Sequence, residues 1–343
     1  MVKSPVVGLD AAVTLLLTRG DVERLLDLPA CIAAVERGFR AAGEGRPVPS
    51  RVLGLGAREG GFHVKVALLD DERVSDDAWF AAKVNANFPD GPAQRGLPTI
   101  QGVLALFDAT TGVPLAVMDS TALTIARTAA ATAIAARHLA APHASTVAVV
   151  GCGAQAHAQL AALCLVRPVE RATAVDVEPA RAESFAAAAG ARLGIPVTAS
   201  ADLEAATRGS DVVVTCTTSR RAFLDARHVS PGTLVAAVGA DNEHKQEIEP
   251  SLMRAAAVIT DSTAQCAAIG DLHHTIAAGA MRLEDVRAEL GDVVADPSRG
   301  RRDGREVVIF DSTGVAFQDV VAAALVYERA VREGVGVPLR LRS

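Results

Sequence analysis

Aromatic residues are scarce in this chain, at 3% of its 343 residues, although half of the residues are hydrophobic. Ala and Val supply much of that apolar content, which suits helices packed closely on a Val-rich sheet better than an antibody-like sandwich. The length corresponds to about two domains and is sufficient to bury a large core. The composition therefore favours an α/β protein.

Cysteine is also sparse, and its five copies are scattered, odd in number and never in a Cys-x-x-Cys spacing. This pattern excludes a disulfide framework and a structural zinc site, and we predict no metal site. A reducing, cytoplasmic location fits such cysteine usage best.

The chain has no excess of basic residues and no long hydrophobic run. Its net charge of −6 offers no positive field to attract nucleic acid or an anionic membrane, so neither partner is expected. The apolar run Ala11 to Leu17 is closed by Arg19 and Asp21 and is too short to span a bilayer. It predicts a first β-strand rather than a signal peptide.

The pattern of residues changes twice along the chain. Helix starts near Thr18 and Asp27 precede short alternating strands from Val52 to Val117, which predict an antiparallel, hairpin-rich domain. After Thr121, near-continuous apolar strands alternate with helices, as a parallel sheet buried on both faces requires. Residues 291–305 hold four arginines and predict a solvated loop or, alternatively, a phosphate-binding segment. A terminal helix is expected over about 315–332.

A glycine-rich turn follows the strand 146–150, in the stretch Val147-Ala-Val-Val-Gly-Cys-Gly-Ala-Gln-Ala156. Gly151 permits a tight turn, Gly153 lets the backbone approach a pyrophosphate, and Ala156 stands where a third small residue is needed. Ala154 and Gln155 complete the turn, and the following helix N-terminus can bind phosphate. We predict a dinucleotide site here.

Asp176 ends the next predicted strand, 25 residues after Gly151. A carboxylate at this place can accept hydrogen bonds from the ribose hydroxyls and repels a 2′-phosphate, which favours NAD over NADP. The alternative is that Asp176 only caps the helix beginning near Pro179.

Several stretches, taken in order, resemble the ornithine cyclodeaminase/mu-crystallin family, which includes archaeal-type alanine dehydrogenase and ketimine reductases. The most specific is Leu123-Thr-x-x-Arg-Thr-Ala-Ala130 shortly before the Gly-x-Gly-x-Gln turn. The others are Arg51, Ala82-Lys-Val-Asn85, Gly96-Leu-Pro-Thr99, Asp108-x-x-x-Gly112, Val238-Gly-Ala-Asp241 and Phe310-Asp-Ser-Thr-Gly314.

The resemblance implies an α/β fold in which a Rossmann dinucleotide-binding domain, residues 124–311, is inserted into another domain. That second domain, residues 1–123 and 312–343, would be an α+β N-terminal dimerisation and substrate domain completed by the C-terminal helix. A homodimer and a substrate site in the cleft between the domains are further implications.

Matching motif positions imply that Arg51, Lys83 and Arg127 hold the substrate carboxylate, with Lys83 and Asp241 as the catalytic pair. Asp241 would exchange protons with the amino group. The further candidate cofactor residues are Thr128, Thr217, Val238, Gly239 and Ser312. Elementary chemistry agrees, because arginine binds a carboxylate through two parallel bonds. Lys83 lies mid-strand among apolar residues, where it is costly to bury without an anion.

One departure from the family lies at His63 and Lys65, where relatives often carry an apolar stretch ending in Met-Pro. Lys65 is either a second cation in the substrate pocket or a surface residue whose stem packs on apolar neighbours. In the first case the substrate is less suited to be ornithine, whose terminal ammonium Lys65 would repel.

Three functions are consistent with these residues. The first is an NAD-dependent oxidoreductase that transfers a hydride at the Cα–N bond of a small amino or imino acid. The second is ornithine cyclodeamination, in which NAD is regenerated and ammonia released. The third is a non-catalytic protein that keeps the NAD fold.

Overall fold

The computed structural model describes residues 13–341 except 47, 73, 89–90 and 92–94. The chain divides into two compact units: the first comprises residues 1–41, 45–127 and 316–343, and the second comprises residues 42–44 and 128–315. The division falls at Arg127–Thr128 and Val315–Ala316, whereas the sequence-based boundaries stand after residues 123 and 311.

The first unit contains a seven-stranded sheet. Its strands are β1 (Val13–Leu17), β2 (Ser50–Ala57), β3 (Gly60–Leu69), β4 (Trp79–Asn87), β5 (Ile100–Asp108), β6 (Pro114–Asp119) and β17 (Val337–Arg340). They lie in the order β17-β1-β6-β5-β4-β3-β2. Neighbouring strands run antiparallel, as predicted, except for the parallel pair β1 and β6. The helices are α1 (Arg19–Leu25), α2 (Leu28–Gly43), the start of α3 (Ser120–Leu139) and α11 (Ala316–Glu333).

Local signals explain the first turns of this unit. Thr18 caps α1, because its side chain accepts from the backbone of Asp21 while the Asp21 carboxylate accepts from the backbone of Thr18. The predicted first strand is present as β1, while Ala11 and Ala12 lie outside the described residues. The final strand β17, which pairs with β1, was not predicted.

The central strands of this sheet have two distinct faces. Trp79, Ala81 and Lys83 of β4 alternate onto one face and are buried, as are Leu104 and Leu106 of β5. Helix α11 packs against β3 and β4. We call the face that carries Lys83 the inner face of the sheet and the opposite face the outer face.

The second unit is built on a parallel sheet. Its strands are β7 (Thr146–Val150), β8 (Arg171–Val175), β9 (Val197–Ala199), β10 (Val212–Thr215), β12 (Leu234–Ala237), β14 (Ala257–Thr260), β15 (Ala288–Glu289) and β16 (Val308–Asp311). They lie in the order β15-β14-β16-β12-β10-β7-β8-β9. Chain order reverses beside β7, since β8 lies on one side of it and β10 on the other. Ligands bind at such a switch point in open parallel sheets.

Helices connect these strands: α4 (Ala156–Val166), α5 (Pro179–Leu193), α6 (Leu203–Arg208), α7 (Pro250–Ala255), α8 (Thr263–Ile269), α9 (Asp271–Ala277) and α10 (Leu290–Ala295). A small parallel pair, β11 (Arg220–Leu224) and β13 (Gln246–Ile248), accompanies the main sheet. Among the described residues, none of the helices combines the length and apolar content needed to cross a bilayer.

The prediction of a solvated loop over residues 291–305 was wrong at its start but holds for most of residues 296–305, which are largely exposed and contain only a short 3-10 turn. Helix α10 occupies its start, and Leu290, Val293 and Val294 bury the apolar side of that helix. Arg301 donates to the backbone carbonyl of Leu139 at 2.7 Å and is therefore a structural side chain.

Candidate active site

A buried cluster of charges lies on the inner face of the first unit. Lys83 Nζ donates to Asp319 Oδ1 at 2.8 Å and to Thr124 Oγ1 at 3.2 Å. Arg127 Nε donates to the same Asp319 oxygen at 3.0 Å, and its Nη1 donates to Gln318 Oε1 at 3.1 Å. Helix α3 supplies Thr124 and Arg127, and α11 supplies the acceptors Gln318 and Asp319. One carboxylate thus joins two of the predicted substrate cations, Lys83 and Arg127.

Burial sets the electrostatics of this cluster. It disfavours the charged form of Lys83, and together with repulsion from Arg127 and Lys65 it lowers the pKa of this ammonium to about 7 despite the attraction of Asp319. Burial acts to raise the pKa of Asp319, but Lys83, Arg127 and Lys65 outweigh it, and the pKa is lowered. Asp319 is therefore an ionised carboxylate at neutral pH.

Lys65 lies on the inner face. It is paired directly opposite Lys83 in the β3–β4 register, and His63 is paired opposite Asn85. Directly opposed residues in an antiparallel pair point to the same face of the sheet. Of the two alternatives for Lys65, the register favours the one that places it beside Lys83.

Arg51 lies elsewhere. It is paired with Val66, the residue next to Lys65 in β3. Because successive residues of a strand face opposite sides of the sheet, the side chain of Arg51 lies on the outer face. Its guanidinium is exposed and donates to the carbonyl of Ser50 at 2.8 Å. The structure thus brings Lys83 and Arg127 together but does not place Arg51 with them.

Sequence reasoning missed Asp319. An acidic residue in the first turn of a helix is ordinarily explained by the helix dipole, and no local pattern set Asp319 apart. A usable signal was the polar pair Gln318-Asp319 in a helix that is otherwise apolar from Ala316 to Val326, together with the need of a strand lysine for an anion.

In the second unit, the glycine turn has the geometry that a dinucleotide requires. Gly151 has a φ of +94°, and a Cβ there would lie 2.8 Å from Cγ2 of Thr217. A Cβ at Gly153 would have no atom within 4 Å, so the turn is open on that side. Helix α4 begins directly afterwards, with Gln155 as its N-cap residue and no side-chain cap. The turn leaves room for a pyrophosphate beside the helix N-terminus.

Asp176 directly follows β8 and is tied to the glycine turn. Its Oδ2 accepts from the backbone N–H of Cys152 at 2.8 Å, and its Oδ1 accepts from that of Glu178 at 2.9 Å. Glu178, rather than Asp176, is the N-cap residue of α5. The alternative interpretation of Asp176 as the cap of this helix was therefore wrong, and its place beside the turn suits a ribose-binding carboxylate.

The remaining candidates for cofactor binding fall mostly at one edge of the parallel sheet. Thr217 follows β10, Val238 and Gly239 follow β12, and Ser312 follows β16. Ala154 lies within the glycine turn, and Thr128 is buried in α3. These positions and the open turn fit a dinucleotide.

Asp241 lies four residues beyond β12. Its Oδ1 accepts from Lys245 Nζ at 2.7 Å and from Asn242 Nδ2 at 3.1 Å, and 44% of its side chain is exposed. Its catalytic role remains a prediction.

The open parallel sheet, the glycine turn at Gly151 and the carboxylate of Asp176 together define a Rossmann-type dinucleotide-binding unit. The chain belongs to the ornithine cyclodeaminase/mu-crystallin family, whose model matches residues 12–334.

Solved structures agree in fold over nearly the whole chain. An archaeal alanine dehydrogenase dimer with bound NAD superposes with a TM-score of 0.90 at 35% identity, covering 96% of this chain and all of that one. The Δ1-pyrroline-2-carboxylate reductase of Thermococcus litoralis, in complex with NADH and L-proline, gives 0.89 at 30% identity and covers 95% of this chain and all of that one. A lysine cyclodeaminase gives 0.84 at 30% identity, with 96% of each chain covered.

These comparisons confirm the predicted family and the predicted α/β fold with a Rossmann sheet. They also confirm the predicted enzyme class, because the relatives are oxidoreductases or cyclodeaminases of this family and several hold NAD or NADH.

Proposed function

We propose that the protein is an NAD-dependent oxidoreductase acting at the Cα–N bond of a small amino or imino acid. The observation that carries this is the pairing of two buried cations, Lys83 and Arg127, on one carboxylate, Asp319. Two cations against one anion leave a net positive charge, which favours a substrate carboxylate. Among the described residues, these hydrogen bonds use two N–H groups of Lys83 and the Nε and Nη1 groups of Arg127. They do not use the third N–H group of Lys83 or Nη2 of Arg127.

Lys83 serves two purposes in this proposal. Its ammonium helps to hold the substrate carboxylate, which orients the Cα–N bond. Since its pKa is about 7, it can also exchange a proton near neutral pH, where a general acid–base group is most effective. Asp241 is proposed to exchange a proton with the substrate nitrogen.

The cofactor would be held by the second unit. The turn at Gly151 and Gly153 would receive the pyrophosphate, and Asp176 the adenosine ribose. NAD, when bound, exchanges a hydride with the substrate Cα.

Cyclodeamination of ornithine is the second candidate, and the structural likeness to a lysine cyclodeaminase supports it. The inner-face position of Lys65 opposes it, because a terminal ammonium on the substrate would meet another cation.

A substrate screen tests both functions. Amino acids are supplied with NAD, cyclic imines and 2-oxo acids plus ammonia are supplied with NADH, and absorbance of NADH is followed. We expect a net change in NADH with a small amino or imino acid. Ammonia release from ornithine without net NADH change would establish the cyclodeaminase instead.

We also propose a homodimer formed through the outer face of the first unit's sheet. One row across four strands of this face is apolar, with Leu53, Val64, Val84 and Val103 opposed in register. Leu53 and Val103 are 54% and 51% exposed, and an apolar surface of this kind is typical of an interface. The archaeal alanine dehydrogenase of the same fold is a dimer.

Light scattering tests this proposal. We expect twice the chain mass of 35.3 kDa for the wild type and a monomer for Val84→Glu with Val103→Glu. Leu165→Glu, at a half-exposed apolar residue on α4, is the matched control and should remain dimeric. A monomeric wild type at micromolar concentration would contradict the proposal.

The location is proposed to be cytoplasmic, given five free cysteines.

A further inference from the structure

Glu247, in the middle of β13, is a fully buried carboxylate that the proposed reaction does not use. Its oxygens accept hydrogen bonds from Thr215 Oγ1 at 2.6 Å, from Thr217 N and Oγ1 at 2.7 and 2.6 Å, and from Gly239 N at 2.9 Å. The backbone N–H groups of Thr217 and Gly239 can only donate, so they favour the ionised carboxylate. Burial raises the pKa of Glu247, and the hydrogen bonds from Thr215, Thr217 and Gly239 act against that rise.

Three of the four hydrogen bonds to Glu247 come from two different segments that follow strands, and the fourth comes from Thr215 within β10. Thr217 lies just after β10, and Gly239 lies just after β12. These strands are parallel neighbours, so both segments leave the sheet at the edge where the glycine turn also lies. A single carboxylate therefore links two of the segments that were predicted to bind the cofactor.

The position of Glu247 is fixed from both ends. Asp271 Oδ1 accepts from the backbone N–H groups of Glu247 and Ile248 at 2.8 and 2.9 Å. On the other side, a Cβ at Gly239 would lie 2.4 Å from Glu247 Oε1, so only glycine allows this approach. The arrangement holds the main chain after β12 against the carboxylate.

The sheet order separates the two halves of a dinucleotide. Asp176 follows β8 on one side of β7, while β10 and β12 lie on its other side. A dinucleotide that crosses the switch point with its adenosine at β8 therefore places its nicotinamide half toward β10 and β12.

We infer that Glu247 is a positioning residue for the nicotinamide half of the cofactor, acting through the segments after β10 and β12. This inference rests on the proposed NAD binding. It implies that loss of the Glu247 charge selectively weakens binding of the whole dinucleotide, whereas the adenosine half keeps its site.

The test compares NADH with ADP as ligands of the purified full chain. For Glu247→Gln we expect the Kd of NADH to rise about tenfold or more, the order expected for one lost charge-assisted hydrogen bond, and that of ADP to stay unchanged. NADH binding is read from its fluorescence, and ADP binding by calorimetry, so no turnover is needed. The matched control is Asp211→Asn, because Asp211 accepts three hydrogen bonds from Ser145 and Thr146 at the opposite edge of the sheet. It should leave the ratio of the two Kd values unchanged.

A purely structural role for Glu247 would weaken NADH and ADP by the same factor, and that result, or unchanged NADH binding, would overturn the inference. If Glu247→Gln does not fold, Thr215→Val is used instead. Thr215 donates to Glu247 but lies within β10, so it belongs to neither of the two segments. Selective loss of NADH affinity supports the inference there too, and wild-type affinity for both ligands overturns it. A wild type that binds neither ligand would instead contradict the proposed function.

Discussion

Lys83 Nζ lies 2.8 Å from Asp319 Oδ1, although 236 residues separate the two along the chain. Both side chains are 3% exposed, and Arg127 shares the same carboxylate oxygen. The last helix of the chain thus supplies the counter-charge for cations on β4 and α3. This relationship makes the C-terminal segment part of the candidate site.

Asp319→Asn should strongly destabilise the protein. It leaves Lys83 and Arg127 buried without their anion, and removal of one partner of a buried pair costs about 3–5 kcal/mol. The free energy of unfolding from urea titration measures this. Glu59→Gln removes an exposed pair with Arg95 in the same unit and should cost less than about 1 kcal/mol. Equal losses in the two variants would contradict the buried-pair assignment.

Lys83→Ala and Asp241→Asn should lower turnover by roughly 100-fold or more while NADH affinity stays nearly intact. Loss of the carboxylate anchor at Lys83 should also raise KM, whereas loss of Asp241 should act mainly on kcat. Steady-state kinetics with a separate NADH titration distinguish the two signatures, and Arg95→Ala serves as the surface control. Near-wild-type turnover in both variants would reject these roles and direct attention to His63 and Lys65.

Asp176→Ser should weaken NADH binding and relieve repulsion of NADPH, so the ratio of the two Kd values shifts toward NADPH. The loss for NADH is on the order of 1.5–3 kcal/mol, the value of one hydrogen bond to a charged group. Fluorescence titration with both cofactors measures the ratio. Glu178→Gln, two residues farther along and exposed, should leave it unchanged. A wild type that already prefers NADPH would disprove the argument.

The stability of the protein should fall as pH rises from about 4 to about 7, in part because of Asp311. Burial in the second unit, with Asp261 and Glu247 nearby, raises the pKa of this carboxyl to about 7, whereas an unfolded Asp has a pKa of about 4. The folded state therefore binds more protons in this window, and stability is lost as Asp311 ionises.

Asp311→Asn removes this titration and should flatten the decline in unfolding free energy between pH 5 and pH 7. Asp271, whose pKa burial and Asp311 also raise, leaves a residual slope. Asp211→Asn is the control: hydrogen bonds to Asp211 outweigh its burial and lower its pKa, so its titration lies below this window. A slope as steep in Asp311→Asn as in the wild type would count against the prediction.

Local chemistry was enough to predict much of the second unit. The glycine turn after β7 and the carboxylate after β8 each follow directly from a few adjacent residues. The continuous apolar strands predicted a parallel sheet, because such strands need cover on both faces. The cap at Thr18 was predictable for the same reason, since both partners lie within one turn.

The first unit's site depended on long-range pairing that no short stretch contains. Alternation along β2 cannot say whether Arg51 or Val52 faces Lys83, because a shift of one residue in strand register exchanges the two faces. The observed register with β3 assigns Arg51 to the outer face and Lys65 to the inner face. Likewise, the sequence by itself determined that a buried Lys83 needs an anion. Only the packing of α11 against β3 and β4 decided that the anion is Asp319.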